Sequence, residues 1–193
     1  MSLLVRKVVL ASGSPYRAQI LRDVGVDFAV IVSDVDESLH PMGEPVAYAR
    51  ALATRKAQAV AQKVGVGKLV IAADTICAID HDIIGKPEDE DVAKRMIARS
   101  CDSGLQRVIT GVCVVDTNTG DQFTLDETSL VEMAPANEDK IAEYVASGEP
   151  MGKCGALCIE SGQSFVKSWK GSYANIMGLP IEQLLPLLFR LDV

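Results

Sequence analysis

Basic residues are outnumbered in this sequence, and that shortage narrows the range of partners. The 193 residues contain 19 lysines and arginines against 26 acidic residues, a formal net charge of −7. Proteins that bind duplex DNA, RNA in bulk or an anionic membrane surface usually present a basic face. The composition therefore predicts neither a polynucleotide nor a membrane as partner, although net charge does not describe a single pocket.

Histidine is almost absent, and the cysteines lack metal-binding spacing. Only His40 and His81 occur, both in polar loops, and neither indicates a Ser–His–Asp triad. The five cysteines are odd in number, include no CxxC pair and lie partly in apolar runs, such as the run around Cys113. We therefore expect reduced, buried thiols in a cytoplasmic protein rather than a disulfide framework or a structural zinc site.

Long apolar runs, repeats and linkers are missing as well. No stretch approaches the roughly 20 apolar residues that a membrane-spanning helix needs. Arg6 and Lys7 interrupt the N-terminal segment too early for a signal peptide. With 48% apolar and 23% charged residues, the chain is predicted to fold as a single globular domain over residues 1–193.

What the sequence does contain is an alternation of strand and helix patterns. Extended, apolar runs predict strands at 6–11, 28–33, 68–73, 106–116 and 122–133, with short strands near 156–159 and 165–169. Helical patterns lie at 15–24, 45–63, 88–99, 137–147 and 180–191. A hairpin is predicted over 76–84, turned at Asp80-His81-Asp82. Because hairpins accompany the helices, the fold class is α/β with a mixed sheet.

The junction between the first strand and the first helix could bind an anion. Ser14 suits the helix N-cap and Pro15 the first turn, so hydroxyl and backbone N–H groups from Ser12 onward meet at a helix N-terminus. Arg17, about one turn later, could hold a phosphate with two hydrogen bonds. A capped helix with a surface arginine explains the same pattern, since neither common phosphate-loop fingerprint is present.

Lys56, on the apolar stripe of the second helix, either extends outward or points into a pocket.

Asp74 follows an apolar strand, where ligands bind in many α/β proteins. A carboxylate there can act as a general base or hold a metal. If residues 79 and 83 pair in the hairpin, Lys86 comes beside Asp74 and Thr75, an arrangement that suits a metal–phosphate site or a plain salt bridge. Glu37, in an acidic loop, is a second possible metal ligand or an ordinary solvated residue.

Several short motifs occur in a fixed order along the chain. They read LASGSPYR at 10–17, KA at 56–57, ADT at 73–75, GKP at 85–87, TGV at 110–112, YV at 144–145, GKCGA at 152–156, and GSY followed by GLP between 171 and 180. Each motif is weak alone, but the ordered set is specific and covers nearly the whole chain. It resembles the Maf family, the septum-formation Maf-like proteins.

The resemblance implies a nucleoside triphosphate pyrophosphatase with a fold like that of the inosine triphosphate pyrophosphatases, a long mixed sheet with two lobes around a cleft. Such enzymes use water and a divalent metal, Mg²⁺ or Mn²⁺, to cleave between the α- and β-phosphates. The resemblance implies Asp74 as the proton acceptor, Glu37 as an acid near the metal, and phosphate-handling roles for the remaining matched positions, which are Ser12, Arg17, Lys56 and Lys86. It also implies a homodimer. A non-catalytic nucleotide-binding division regulator is the alternative, and the presence of Asp74 and both lysines favours catalysis.

Three matched positions indicate which nucleobase the substrate carries. Family members that act on dTTP and UTP carry Arg, Thr and Gln where this chain has Tyr16, Thr75 and Glu160, whereas members that act on 7-methyl-GTP have an aromatic residue and Glu at the first and last. A glutamate can accept hydrogen bonds from two guanine N–H groups, and a cationic 7-methylguanine would stack on a tyrosine. We therefore expect 7-methyl-GTP or another modified nucleotide, in a house-cleaning role, with dTTP and UTP as the alternative.

Overall fold

The order of strands and helices along the chain follows the predicted alternation. The computed structural model describes residues 3–36 and 44–192. The strands are β1 (Lys7–Leu10), β2 (Phe28–Val30), β3 (Lys68–Ile79), β4 (Asp82–Ile84), β5 (Leu105–Asp116), β6 (Gln122–Met133) and β7 (Val166–Lys170). The helices are α1 (Pro15–Asp23), α2 (Pro45–Val64), α3 (Glu90–Ser103), α4 (Glu138–Ala146), α5 (Tyr173–Ile176) and α6 (Ile181–Leu191).

All the strands belong to one mixed sheet, which confirms the predicted fold class. The strand order is β2-β1-β3-β5-β6-β7, and β4 pairs with β3 off this path. β1 runs parallel to β2 and β3, whereas β3, β5, β6 and β7 are joined by antiparallel pairing. No helix in the described part of the chain is long and apolar enough to cross a membrane.

The central strand β3 changes partner along one of its edges. On one side it pairs with β5 from Leu69 to Ala78. On the other side it pairs first with β1, as far as Ile71, and then with β4, from Cys77 onward. Within the described residues, positions 72–76 therefore have no strand partner along that edge, and a cleft opens there.

The helices cover the two faces of the sheet differently. On one face, two separate apolar clusters form the lobes: α1 and α6 pack over Leu69, Ile71 and Ala73, and α3 and α4 pack over Cys77 and Ile79. Thr75 lies between these clusters on the same face, since side chains alternate along a strand. On the opposite face, α2 alone spans both halves of β3.

Close approach of α2 to the sheet depends on Gly111 in β5. A Cβ atom at this position would lie 2.5 Å from the backbone carbon of Ala49 and from the backbone nitrogen of Arg50. Real contacts of that length do not occur, so any side chain here would push α2 outward. Gly111 therefore sets the distance at which α2 presents its residues to β3, including Lys56.

Several local predictions were wrong, each for a physical reason. β3 runs on to Ile79, so Asp74 lies within a strand rather than at its end. The hairpin turns in two residues and pairs Ile79 with Asp82, not residue 79 with residue 83. Residues 156–159 form no strand, because Gly155 and Ala156 both have positive φ, which interrupts an extended chain. α3 continues past residue 99 to a left-handed C-terminal glycine, Gly104.

A half-buried ion pair joins the chain's ends to the sheet. Two guanidinium nitrogens of Arg6 donate to the two carboxylate oxygens of Asp116, each at 2.6 Å, and Arg6 also donates to the carbonyl oxygen of Leu191. The Arg6 hydrogen bonds lower the pKa of Asp116 from 3.8 to about 2. That shift corresponds to roughly 2 kcal/mol of folding free energy at neutral pH.

Replacing Asp116 with asparagine should lower the free energy of unfolding by about 2 kcal/mol near pH 7. Because the folded-state pKa is depressed, the contribution is complete above the ordinary aspartate pKa and disappears as the pH falls towards about 2. Urea denaturation of both proteins across this range should show two stability curves that converge in acid. Asp82→Asn, which removes an exposed ion pair with Arg99, serves as the control, and curves separated by a constant amount would contradict the assignment.

Candidate active site

The cleft at the open edge of β3 contains two adjoining cavities. The larger, about 670 Å³, is lined by Lys56, Asp74 and Lys86 among others, and we call it the charged cavity. The smaller, about 320 Å³, has Val108 and Val131 in the floor that the sheet provides, and for that floor we call it the apolar cavity, although basic residues also line it. Five residues line both, which makes the cavities continuous: Ser14, Arg17, Thr75, Lys86 and Cys154.

Asp74 and Lys56 form a buried ion pair in the charged cavity. The Lys56 Nζ atom donates to Asp74 Oδ1 at 2.5 Å, and the two residues are only 7% and 6% exposed. Asp74 is on the α2 side of β3, and Lys56 reaches it from the buried stripe of that helix. The lysine predicted either to extend outward or to enter a pocket therefore does the latter.

Three segments of the chain hold the Arg17 side chain by hydrogen bonds at the boundary between the cavities. Its Nε atom donates to the Gly178 carbonyl oxygen at 2.9 Å, Nη1 to Ser12 Oγ at 3.1 Å and Nη2 to Thr75 Oγ1 at 3.0 Å. Ser14 is the N-cap of α1 as predicted, and its Oγ accepts from the Arg17 backbone N–H. The guanidinium is thereby oriented before any ligand arrives.

The hydroxyl of Thr75 belongs to this network. It accepts from Arg17 and lies 2.9 Å from Thr110 Oγ1, which in turn donates to the Asn175 carbonyl oxygen at 3.2 Å. The Thr75 hydroxyl also lies 3.5 Å from the Gly178 carbonyl oxygen, to which it can donate. Thr75 therefore positions Arg17, a role that the sequence did not indicate.

Lys86 stands at the exposed rim where the two cavities meet. The predicted proximity of Lys86 to Thr75 and Asp74 is present, although the hairpin register that suggested it was wrong. The position of Lys86 depends on the segment across the cleft, because the Gly155 backbone N–H donates to the carbonyl oxygen of Gly85 at 2.9 Å.

Tyr16 forms part of the wall of the apolar cavity. Its hydroxyl lies 3.4 Å from Cys158 Sγ, and this hydrogen bond, together with burial and the charge of Glu160, raises the pKa of Tyr16. The Lys153 Nζ atom sits over the ring, 4.6 Å from its centroid. A second cation could reach that ring face only if Lys153 moved away.

One predicted residue is not in the cavity walls, and another cannot be placed. Glu160 is exposed and lines neither cavity, although its charge helps to raise the pKa of Tyr16 and of Tyr173. Glu37 lies outside the described residues. Asp74 is therefore the one predicted metal carboxylate whose position can be described.

The donor set suits a divalent ion that arrives with a phosphate ligand. Among the described residues, no three His, Cys, Asp or Glu side chains cluster closely enough to hold a metal ion. Mg²⁺ is commonly bound by one or two carboxylates with phosphate oxygens and water completing its shell. Asp74 can supply one such carboxylate, so the described residues fit a metal site that phosphate oxygens and water complete.

The residues that form the floor of the apolar cavity were not predicted from the sequence. It consists of side chains from β3, β5 and β6 on the face opposite α2, namely Cys77, Gln106, Val108 and Val131. Gln106 was available as a signal, because it is a polar residue on the apolar face of a strand. Cys77 contacts the facing segment, where its backbone N–H donates to Cys154 Sγ at 3.2 Å and its thiol to the Cys154 carbonyl oxygen.

Comparison with known proteins gives concordant results. The family model for Maf-like proteins matches residues 7–191. A dTTP/UTP pyrophosphatase of Ruminiclostridium cellulolyticum is 39% identical over 191 residues, covering 97% of each chain, and one of Acetivibrio thermocellus is 40% identical over 189 residues, covering 94% of each. A HAM1 protein from Coxiella burnetii has a similar fold, with a TM-score of 0.54 at 16% identity over 96% of this chain and 100% of the other.

The pKa values of two cavity thiols, Cys158 and Cys154, shift in the opposite direction to that of Cys113 in the core. Burial alone would raise the pKa of Cys158, but the Tyr16 hydroxyl and nearby backbone N–H groups lower it overall. The hydrogen bond from Cys77 lowers the pKa of Cys154 despite burial. Burial raises the pKa of Cys113. Since the thiolate is the reactive form, Cys158 and Cys154 are expected to react faster than Cys113.

Iodoacetamide should therefore modify Cys158 and Cys154 well before Cys113. The measurement is peptide mass spectrometry of the native protein over a time course near pH 8. A ligand that fills the cavities should slow modification of Cys158 and Cys154 and leave Cys113 unaffected. Faster modification of Cys113 than of Cys158 would contradict the assigned environments.

Proposed function

The chain belongs to the family of Maf-like proteins, and on that premise we propose that it is a nucleoside triphosphate pyrophosphatase. It hydrolyses the anhydride between the α- and β-phosphates and releases a nucleoside monophosphate and pyrophosphate. The observation that carries the proposal is the buried Asp74–Lys56 pair in a charged cavity that opens into an apolar one. A triphosphate needs the first environment and a nucleobase the second.

The residues around the cavities suit the two ends of such a substrate. Arg17 and Lys86 lie where the cavities meet, so their charges can bind phosphate oxygens while the base extends over the sheet. The backbone N–H groups after Ser12 at the α1 N-terminus add donors and a favourable dipole. The volume of about 320 Å³ on the apolar side is at the lower end for small-molecule pockets.

Catalysis follows from the carboxylate of Asp74. Its ion pair with Lys56 keeps the carboxylate in place, ready to accept a proton from a water molecule as that water attacks phosphorus. The bond from the α-phosphorus to the oxygen that bridges it to the β-phosphorus breaks, and its electrons leave with the departing pyrophosphate, whose charge Arg17 and Lys86 stabilise. Asp74 and phosphate oxygens would hold Mg²⁺ or Mn²⁺, which supplies further charge neutralisation when bound.

For the base, we propose UTP and dTTP as the preferred substrates. The relatives named above carry that activity in their names. Lys153 already covers the Tyr16 ring, so a cationic base gains little there unless Lys153 moves. Glu160 lies outside the cavity wall. The 7-methyl-GTP expectation is the second candidate, supported by Tyr16 in the wall and by the charge of Glu160 that acts on it.

The setting of the enzyme is also a proposal. All five cysteines are free thiols, which fits the reducing conditions of the cytoplasm. Trp169 in β7, the last strand of the sheet, is 48% exposed, and Tyr173 at the start of α5 is 39% exposed. An apolar surface at a sheet edge supports the expected homodimer.

A nucleotide panel tests the reaction. With Mg²⁺ or Mn²⁺, the protein should release pyrophosphate from UTP and dTTP faster than from 7-methyl-GTP or the common purine triphosphates. Asp74→Asn should lower kcat by about 10²–10⁴-fold, since it removes the proton acceptor. Pyrophosphate and nucleoside monophosphate should appear in equal amounts.

The Asp74→Asn variant also leaves the buried Lys56 charge without its partner, so its folding must be checked by thermal melting. Lys56→Met combined with Asp74→Asn removes both charges and should restore stability without restoring activity. Asp91→Asn, at an exposed ion pair with Lys94, is the matched control. Full activity in a folded Asp74→Asn variant would exclude the mechanism.

Glu160→Gln separates the two candidate substrates. Because Glu160 is exposed outside the cavities, the variant should change kcat/KM for UTP by less than about fivefold, as expected for a surface charge. If 7-methyl-GTP is the substrate, losing the charged acceptor should lower its kcat/KM by about 10–100-fold. Steady-state kinetics on both nucleotides decides between them.

A further inference from the structure

Gln106 is a buried polar residue whose side-chain donor has no partner. It is 2% exposed, and its Nε2 atom has no hydrogen-bond partner within the described residues. Its side chain is part of the wall of the apolar cavity. Buried amide groups in folded proteins are nearly always hydrogen-bonded, so an unpaired donor beside a cavity calls for a partner that water or a ligand supplies.

The surroundings of the amide explain why the protein does not satisfy it. The floor residues beside it are Cys77, Val108 and Val131, whose side chains are poor acceptors or none. Gly155 closes over it from the facing segment: a Cβ atom there would lie 2.5 Å from Gln106 Nε2 and 3.1 Å from Cys77 Sγ. The backbone at Gly155 has φ +68, which a glycine adopts readily.

The placement of Gln106 relative to the other site residues is consistent with a base-binding role. It lies on the sheet face that carries Thr75 and Cys77, away from Asp74 and Lys56, which are on the α2 side. Along β5 it is four residues from Thr110, the neighbour of Thr75. A triphosphate bound between Arg17 and Lys86 would thus direct its base, and not its phosphates, towards Gln106.

We propose that the Gln106 side-chain amide recognises the nucleobase by donating from Nε2 to an exocyclic carbonyl oxygen. This inference rests on the proposed function and extends it to a residue that determines specificity. Uracil and thymine present two such oxygens, O2 and O4, on either side of a ring N–H. The amide oxygen of Gln106 can accept from that N–H, so one side chain can contact two adjacent base atoms.

Replacing Gln106 with an apolar residue should affect the free protein and its complex with nucleotide in opposite ways. In the free protein the Nε2 donor is buried without a partner, so an apolar residue of similar size should fold at least as well. In the complex, the same replacement leaves the base carbonyl buried against a side chain that cannot donate. When a ligand is bound through a buried hydrogen bond, removing one of the two partners leaves the other unpaired and lowers the affinity strongly.

The test compares wild-type protein with Gln106→Leu, using Gln62→Leu at an exposed position of α2 as the matched control. Thermal melting measures the stability of the free proteins. Titration calorimetry with Mg²⁺ measures the affinity for the non-hydrolysable α,β-methylene analogue of UTP and for inorganic tripolyphosphate, which has no base. The kinetics of UTP hydrolysis are measured on the same preparations.

Gln106→Leu should melt at the wild-type temperature or above, bind the UTP analogue about 10–100-fold more weakly and bind tripolyphosphate with unchanged affinity. Gln62→Leu should match the wild type in all three. Unchanged affinity of Gln106→Leu for the UTP analogue, or an equal loss for tripolyphosphate, would overturn the proposal. So would a lower melting temperature with normal nucleotide binding, which would identify a purely structural amide.

The two proposals fail in different ways. If the wild-type protein binds the UTP analogue but hydrolyses no nucleoside triphosphate, the proposed function fails, and the binding comparison still decides the role of Gln106. If hydrolysis proceeds and Gln106→Leu leaves KM for UTP unchanged, only the role of Gln106 fails. A wild-type protein that does not bind the UTP analogue at all overturns the role of Gln106 as well.

Discussion

The interrupted edge of β3 is the constraint on which the site depends. Sheet strands normally satisfy their backbone groups on both sides, and β3 does so with β5 along nearly its whole length. On the other side, β1 pairs only as far as Ile71 and β4 begins only at Cys77. The chain leaves β1 there to form the Ser12–Ser14 turn and α1, so the helix N-terminus faces the same gap. A cleft between two lobes results from the sheet pairing itself.

Because side chains alternate along β3, neighbouring residues of this strand contribute to different parts of the cleft. Asp74 points to the α2 side, where Lys56 meets it, and Thr75 points to the opposite side, where it holds Arg17. Neighbouring residues therefore serve different ends of a substrate. The arrangement depends on α2 lying close to the sheet, which Gly111 permits. A displacement of α2 would separate Lys56 from Asp74 even though neither residue had changed.

Local signals in the sequence predicted part of this arrangement. The Ser14 cap, the alternation of strands and helices, and the proximity of Lys86 to Asp74 all follow from short-range patterns, and the order of motifs pointed to the family. The length of β3 did not follow, because Asp74 and Thr75 resemble a strand end unless β5 is known to pair beyond them. The unpaired amide of Gln106 could not be predicted either, since it exists only because Gly155 approaches from a segment distant in sequence.

The charge balance of the cleft explains how an acidic protein can bind a polyanion. Arg17, Lys56 and Lys86 line the charged cavity, but the charge of Lys56 is already balanced by Asp74 at 2.5 Å. Arg17 and Lys86 are the other two cations in the described lining of the charged cavity, and they oppose the several negative charges of a triphosphate. The remainder has to come from an ion bound with the substrate, and Asp74 is the buried carboxylate available to hold it. If so, affinity for a triphosphate should depend on a divalent ion much more steeply than affinity for a monophosphate, because only the triphosphate carries charge that the two side chains leave unbalanced.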